Sequence, residues 1–85
     1  MYSIKFDKKA ADFVRKLDNQ LQKKLVKKID ELSENPFLGK PLSGNLSGLW
    51  RLRCDKYRII YQVKHQELLI FVLNIGHRKN IYESH

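Results

Sequence analysis

The amino-acid sequence predicts a two-layer α+β domain in which two N-terminal helices cover one face of an antiparallel sheet. Two amphipathic helical segments lie in the first half of the chain, and strand-like sequence fills most of the second half. A loop rich in glycine and proline joins the two halves. The expected order is strand, helix, helix and three strands, and residues 1–85 form one domain.

The first strand is predicted at Tyr2 to Phe6, where apolar and polar side chains alternate. Asp7 follows as a helix N-cap, because its carboxylate can accept hydrogen bonds from the free backbone N–H groups of the first turn. The helix it begins has an apolar stripe at the spacing i, i+3, i+4 and i+7, made of Ala10, Phe13, Val14 and Leu17.

A second, longer helix is predicted to begin at Asp18 or Asn19 and to end before Asn35-Pro36. Its apolar stripe consists of Leu21, Leu25, Val26, Ile29 and Leu32. Its remaining face carries Lys23, Lys24, Lys27 and Lys28. Such a face is either an ordinary solvated surface, with Lys27 paired to Glu31, or a surface that attracts a polyanion, and the sequence leaves both interpretations open.

The irregular loop Pro36 to Gly48 leads into a predicted β-hairpin. Its strands, Leu49 to Cys54 and Tyr57 to Val63, are joined by the two-residue turn Asp55-Lys56. This geometry gives the hairpin one apolar face, on which Trp50, Leu52 and Cys54 lie opposite Tyr61, Ile59 and Tyr57.

The other face of the predicted hairpin carries arginines. Arg53 falls directly opposite Arg58, and Arg51 lies two residues along the same strand, beside Ile60. Like charges directly across a ladder are destabilising, and no acidic side chain on this face offsets the cost. An anion that binds this face would offset it.

The last strand is predicted at Glu67 to Ile75 in one of two registers. A two-residue turn at His65-Gln66 sets Lys64 opposite Glu67 and places Leu68, Ile70 and Val72 on the core face. A three-residue turn places Leu69, Phe71 and Leu73 there instead. The opposite charges of Lys64 and Glu67 favour the first register.

Composition narrows the classes of function. The chain has a net charge of +8, with ten basic and six acidic residues in 1–48 and seven and three in 49–85. The excess therefore belongs to the whole domain, which is expected to attract nucleic acid or an acidic protein. The lone Cys54, the lack of zinc-ligand spacing and the lack of a membrane-spanning apolar segment favour a cytoplasmic location without membrane contact.

The segment after Gly76 adds another arginine, Arg78, which is expected to join Arg53 and Arg58 around one concavity. Guanidinium groups grip two phosphate oxygens at once and keep their charge at physiological pH. If the 2′-OH of a bound RNA attacks the adjacent phosphorus, fixed guanidiniums stabilise the negative charge that develops on the phosphoryl oxygens. No metal ion or other cofactor is then expected.

The residue types do not identify which group acts as the general base. Arginine is a poor base because its pKa lies above about 12, which leaves His77, Tyr82, His85 or a group of a partner. Tyr82 has a second use, as a platform on which an unstacked base lies. The expected RNA-binding residues are Arg51, Lys56 and Lys79.

Three segments resemble the RelE toxins of prokaryotic toxin–antitoxin pairs, within the wider RelE/ParE superfamily: Gly39 to Arg53, Tyr57 to Val63 and Ile75 to Tyr82. The resemblance implies a ribosome-dependent, metal-independent endoribonuclease that cuts messenger RNA in the A site and leaves a 2′,3′-cyclic phosphate and a 5′-OH. It also implies three kinds of partner: a cognate antitoxin, the ribosome with its messenger RNA, and operator DNA bound by the toxin–antitoxin complex.

The resemblance also assigns roles to residues. Arg51 and Arg53 match the basic positions of the first hairpin strand, Arg58 the transition-state arginine, Arg78 the arginine after the last strand and Tyr82 the terminal aromatic. Two other functions stay open. ParE-like relatives share the fold but poison DNA gyrase, and a non-catalytic RNA-binding module would also carry basic residues on its sheet.

Overall fold

A computed structural model describes residues 1–77 of the chain. The helices and strands are β1 (Ser3–Phe6), α1 (Lys8–Arg15), α2 (Asn19–Asp30), β2 (Lys40–Pro41), β3 (Trp50–Cys54), β4 (Tyr57–Lys64) and β5 (Leu69–His77). Short 3₁₀ turns lie at Glu31–Ser33, Gly44–Leu46 and His65–Glu67. Among these residues, no helix is long and apolar enough to cross a membrane.

The strands form one sheet in the order β1-β5-β4-β3-β2. The predicted α+β class and helix order are confirmed, but the sheet is mixed because β1 runs parallel to β5. The prediction of a wholly antiparallel sheet was wrong at this pair, since side-chain alternation does not encode which neighbour an edge strand selects. The two-residue β2 was also missed, because it lies in a loop marked by glycine and proline.

Both helices begin at the predicted caps. The Asp7 carboxylate accepts a hydrogen bond from the backbone N–H of Lys9 at 3.1 Å, and the Asp18 carboxylate accepts one from Leu21 at 3.0 Å. Each cap satisfies a backbone donor that the first helical turn cannot. The helices bury most of their predicted stripes against the sheet, although Val26 stays 37% exposed.

Tyr61 connects the core to the loop that precedes β3. Its side chain is fully buried, its hydroxyl donates to the Pro36 carbonyl at 2.9 Å, and it accepts from the Gly39 N–H at 3.0 Å. Burial raises the pKa of the Tyr61 hydroxyl. The predicted apolar hairpin face is confirmed, and it packs against the helices with Leu52, Cys54, Tyr57, Ile59 and Tyr61 in the core.

The register of β5 differs from both predicted registers. Lys64 pairs with Leu69, so the connection is two residues longer than the favoured turn, and Glu67 lies in a 3₁₀ turn. Leu68 adopts a left-handed backbone with φ of 51° and is 52% exposed. Because the shift is two residues, the faces are preserved, and Ile70 and Val72 are buried as predicted.

A β-bulge then interrupts the pairing of β4 with β5. Tyr61 pairs with Val72, whereas the preceding Ile60 pairs with Asn74, so that Leu73 is an extra residue in β5. One extra residue exchanges the two faces for the rest of the strand. Ile75 consequently points into the core, where it is 3% exposed.

Candidate nucleic-acid interface

The structure confirms the predicted arrangement of the hairpin arginines. Arg53 pairs with Arg58 across β3 and β4, and Arg51 pairs with Ile60. Arg53 is exposed and the other two arginines are half-buried, with their Nε atoms shielded from solvent. These three side chains lie on the sheet face opposite the helices.

The hairpin turn is held against α2 by an ion pair. Asp55 has a φ of 59°, a left-handed conformation that aspartate tolerates better than most residues. Its carboxylate accepts a hydrogen bond from Lys24 Nζ at 3.0 Å. This hydrogen bond lowers the pKa of Asp55 and raises the pKa of Lys24. Asp55 of the hairpin turn is therefore paired with Lys24 of α2.

The bulge in β5 decides which residues face the arginines. Gly76 lies opposite Arg58, so the pairing position beside this arginine carries no side chain. His77 lies opposite Tyr57, and the two ring centroids are 5.1 Å apart. Tyr57 is buried in the core on the helix side of the sheet.

His77, one of the candidate bases, therefore lies on the sheet face opposite the arginine pair. Without the extra residue Leu73, the alternation of β5 would place His77 on the same face as Arg58. The bulge turns His77 to the helix side instead. Sequence reasoning could not foresee this, because apolar residues line both faces of β5 and hide the change of alternation.

Lys56 also lies beside Tyr57, with Nζ 5.8 Å from the ring centroid. The candidate site residues in the described part of the chain thus fall into two groups, the arginines on one sheet face and Lys56 with His77 around the Tyr57 ring. Three further candidates, Arg78, Lys79 and Tyr82, lie outside the described residues, as does His85.

Two clefts lie along the edge of β3, between this strand, the preceding loop and α2. The first has a volume of about 350 Å³ and is lined by Lys28, Leu38, Gly39, Lys40, Arg51, Leu52 and Arg53. The second has a volume of about 330 Å³ and is lined by Lys24, Lys27, Lys28, Glu31, Arg53, Cys54 and Asp55. The sequence did not single out Lys28, Gly39 and Lys40 as site residues, and the signal for Lys28 was the lysine-rich face of α2.

Gly39 lets the loop approach β3 closely. A Cβ atom at this position would lie 2.4 Å from the Arg51 carbonyl oxygen and 2.8 Å from the Tyr61 hydroxyl. Only glycine fits beside this backbone, so the wall of the first cleft depends on a residue without a side chain.

Cys54 belongs to the second cleft but is largely buried. The residue is 7% exposed, and its thiol lies 3.9 Å from the Lys24 carbonyl oxygen. Burial raises the pKa of the thiol, which disfavours the reactive thiolate. Among residues 1–77, no group of three or more histidine, cysteine, aspartate or glutamate side chains could hold a metal ion.

Comparison with known proteins identifies the family. Residues 4–82 match the family described as the ParE toxin of the type II toxin–antitoxin system parDE. The mRNA interferase toxin RelE of Escherichia coli K12 is 30% identical over 92% of this chain and 84% of that protein.

Solved structures extend the likeness to the fold. The toxin–antitoxin complex RelBE2 of Mycobacterium tuberculosis contains a chain with a TM-score of 0.82 and 28% identity, over 91% of this chain and 98% of that one. The isolated E. coli RelE toxin matches with a TM-score of 0.78 and 27% identity, over 98% and 93%. The chain therefore belongs to the ParE toxin family of type II toxin–antitoxin systems, and within it to the RelE-type toxins.

Proposed function

We propose that this chain is the toxin of a toxin–antitoxin pair and inhibits translation as a metal-independent endoribonuclease that cuts messenger RNA in the ribosomal A site. The E. coli relative is named an mRNA interferase. The observation that carries the proposal is the direct pairing of Arg53 with Arg58 on the sheet face opposite the helices. Two opposed guanidiniums suit a phosphate group that becomes more negative as it reacts.

In this proposal the RNA phosphate lies between β3 and β4. Attack of the 2′-OH on the adjacent phosphorus breaks the bond to the 5′ oxygen and forms the cyclic phosphate. Arg58 stabilises the charge that develops on the phosphoryl oxygens, because it is half-buried and its charge is therefore less screened by water than that of an exposed arginine. Arg53 and Arg51 bind the scissile and neighbouring phosphates from β3, and Gly76 leaves room beside Arg58.

In this proposal His77 is not the group that transfers the proton. Its contact with the Tyr57 ring favours a supporting role for His77 and for Lys56 at the end of the hairpin. Tyr82 or a group of the ribosome then serves as the base, and Arg78 and Lys79 complete the phosphate contacts. These three residues lie outside the described part of the chain and enter the proposal from the sequence analysis.

The proposed partners follow from the family. The M. tuberculosis and E. coli relatives have been solved in complexes with their antitoxins. We therefore propose a cognate antitoxin that neutralises this toxin in the cytoplasm, and a complex of the two that binds operator DNA.

One observation favours a second candidate function, that of a ParE-like toxin: the description of the matching family names the ParE toxin. A ParE-like toxin would poison DNA gyrase and cut no RNA. The opposed arginines argue against this candidate, since contact with a protein target does not require two like charges placed across a ladder at a cost in stability.

The test is in vitro translation followed by primer extension on the messenger. The wild type is expected to produce cuts that need ribosomes, and Arg58→Ala to lower the cleavage rate by about 10²- to 10³-fold, the usual effect of removing one preorganised donor. Arg15→Ala on α1 is the matched control, since Arg15 is an exposed arginine that pairs with Asp12, and it is expected to cleave like the wild type.

Three outcomes would overturn the proposal. Intact message together with trapped gyrase–DNA complexes would establish the ParE-like function. RNA binding without cleavage would establish a binding module. Equal cleavage by Arg58→Ala and the wild type would show that the arginine pair takes no part in the mechanism.

A further inference from the structure

The two clefts beside β3 continue the arginine face around the edge of the sheet. The clefts share Lys28 and Arg53, and Arg53 is also the residue opposite Arg58. Arg53 therefore belongs both to the sheet face and to the edge. We call the lining of the two clefts the edge surface.

The short strand β2 leaves this passage open. It pairs with Trp50 and Arg51 and ends there, so that β3 beyond Arg51 faces the clefts and α2. On the far side of the passage, α2 contributes Lys27 and half-buried Lys28. Lys40 of β2 lines the same passage from the loop side.

The edge surface is strongly positive. Its six basic residues are Lys24, Lys27, Lys28, Lys40, Arg51 and Arg53, and its two acidic residues are Glu31 and Asp55. Both acids are engaged, Asp55 with Lys24 at 3.0 Å and Glu31 with Lys28 at 3.7 Å. Six positive charges against two leave a net charge of four, which attracts a polyanion.

The chemistry of this lining favours RNA over a protein. Lysine is depleted in the cores of protein–protein interfaces, whereas lysine and arginine make most contacts with nucleic-acid phosphates. A third cleft, of about 530 Å³ between α1 and α2, has the apolar Val14 and Val26 in its lining beside Arg15, Lys23 and Lys27. In the edge surface, six of the twelve lining residues are basic.

We propose that the RNA strand bound at Arg53 and Arg58 continues around the edge of β3, and that Lys27, Lys28 and Lys40 bind further phosphates of the same strand. This inference rests on the proposed function, since the strand is the one that the toxin cuts. Lys24 has a structural part, because it holds the hairpin turn through Asp55. The edge surface thus lengthens the substrate site beyond the scissile phosphate.

The variant that tests this replaces Lys27, Lys28 and Lys40 by alanine and keeps Lys24. Its matched control replaces Lys8, Lys9 and Lys16 on the α1 side by alanine, which removes the same charge outside the clefts. A third variant carries arginine at the three test positions and is expected to restore binding. Melting temperatures show whether each variant is folded.

The probes are a 2′-O-methyl dinucleotide and a longer 2′-O-methyl strand, neither of which has the nucleophilic hydroxyl. Affinity is measured at several salt concentrations on the full-length protein. Each lost contact with a single-stranded phosphate lowers the slope of log affinity against log salt by about 0.7. The alanine triple is therefore expected to lower the slope for the longer strand by about 2 and to leave the dinucleotide unchanged.

The outcomes separate this inference from the proposed function. A slope for the alanine triple equal to that of its control would overturn the edge surface, as would failure of the wild type to bind the longer strand more tightly than the dinucleotide. Loss of antitoxin binding with unchanged RNA binding would assign the surface to the antitoxin instead. The proposed function is tested independently by Arg58→Ala, which is expected to weaken binding of both probes and to lower the cleavage rate by about 10²- to 10³-fold whether or not the edge lysines are replaced.

Discussion

Arg53 and Arg58 lie directly opposite one another on adjacent antiparallel strands. A cross-strand pair of like charges opposes folding, while pairs of opposite charge stabilise a sheet by roughly 0.2–1 kcal/mol. A small domain has little stability to spare. Under the proposed function, a phosphate that lies between the two guanidiniums offsets this repulsion.

Arg53→Glu is expected to stabilise the protein and to remove its activity. The substitution replaces repulsion across the ladder by attraction, so the melting temperature should rise, by up to about 8 °C for a domain of this size. The gain should shrink in high salt, because Arg53 is exposed and the interaction is screened. Thermal unfolding at two salt concentrations, paired with the translation assay, measures both effects.

Lys5→Glu on β1 is the control for this substitution, since it makes the same change in net charge at an exposed strand position opposite Phe71. It is expected to change the melting temperature less. An Arg53→Glu protein that melts no higher than this control would show that the repulsion in the wild type is negligible.

Gly39→Ala is expected to destabilise the protein by about 1–3 kcal/mol, the usual cost of overpacking. The added Cβ meets the Arg51 carbonyl oxygen at 2.4 Å, and backbone of a paired strand cannot yield as a flexible side chain could. Denaturant unfolding of the variant measures the cost.

A comparison with Gly44 separates crowding from backbone strain. Gly44 has a φ of 65° and open space around its Cβ position. Asparagine tolerates this left-handed conformation, so Gly44→Asn is expected to stay close to the wild type. Gly39→Asn should be at least as unstable as Gly39→Ala, and a mild effect at Gly39 would contradict the close approach.

Tyr61→Phe is expected to cost about 1–3 kcal/mol, because it leaves the Gly39 N–H and the Pro36 carbonyl without their buried partner. The same change should loosen the loop that carries Lys40 and so weaken RNA binding at the edge surface. The control is Tyr2→Phe, which removes a more exposed hydrogen bond to His65 Nδ1 at 3.0 Å. Equal unfolding free energies for the two variants would contradict the anchoring role of Tyr61.

Features that depend on the local alternation of side chains and on helix capping could be predicted from the sequence. The two-residue turn sets the hairpin register, so the sequence predicts the Arg53–Arg58 pair correctly. The caps at Asp7 and Asp18 follow from similarly local chemistry.

Features that depend on competition between distant segments were not predictable. Nothing local distinguishes the bulge at Leu73, because the preceding residues of β5 are apolar on both faces, and so the side of the sheet on which His77 lies could not be assigned from the sequence. The edge surface needs α2 and the β2 loop to meet at β3, which no periodicity reveals. The roles of Arg78 and Tyr82 stay predictions, because both residues lie outside residues 1–77.

The ion pair between Lys24 and Asp55 should make stability depend on pH at both extremes. Its hydrogen bond lowers the pKa of Asp55 in the folded state, so this contribution is present above the ordinary aspartate pKa near 3.9 and is lost as the pH falls through the folded value. The pKa of Lys24 is raised, so its contribution is present below the ordinary lysine pKa near 10.4 and is lost as the pH rises through the folded value.

Asp55→Asn is therefore expected to melt below the wild type at neutral pH. The two melting temperatures should converge as the pH falls through the lowered pKa of Asp55 and as it rises through the raised pKa of Lys24. Asparagine tolerates the left-handed backbone of Asp55, so the variant removes the charge without adding strain. Melting curves across pH, repeated with Lys24→Gln and the double variant, measure the coupling. The effect should be small and sensitive to salt, because both side chains are substantially exposed. Additive effects of the two substitutions at pH 7 would mean that the pair does not hold the hairpin turn to α2.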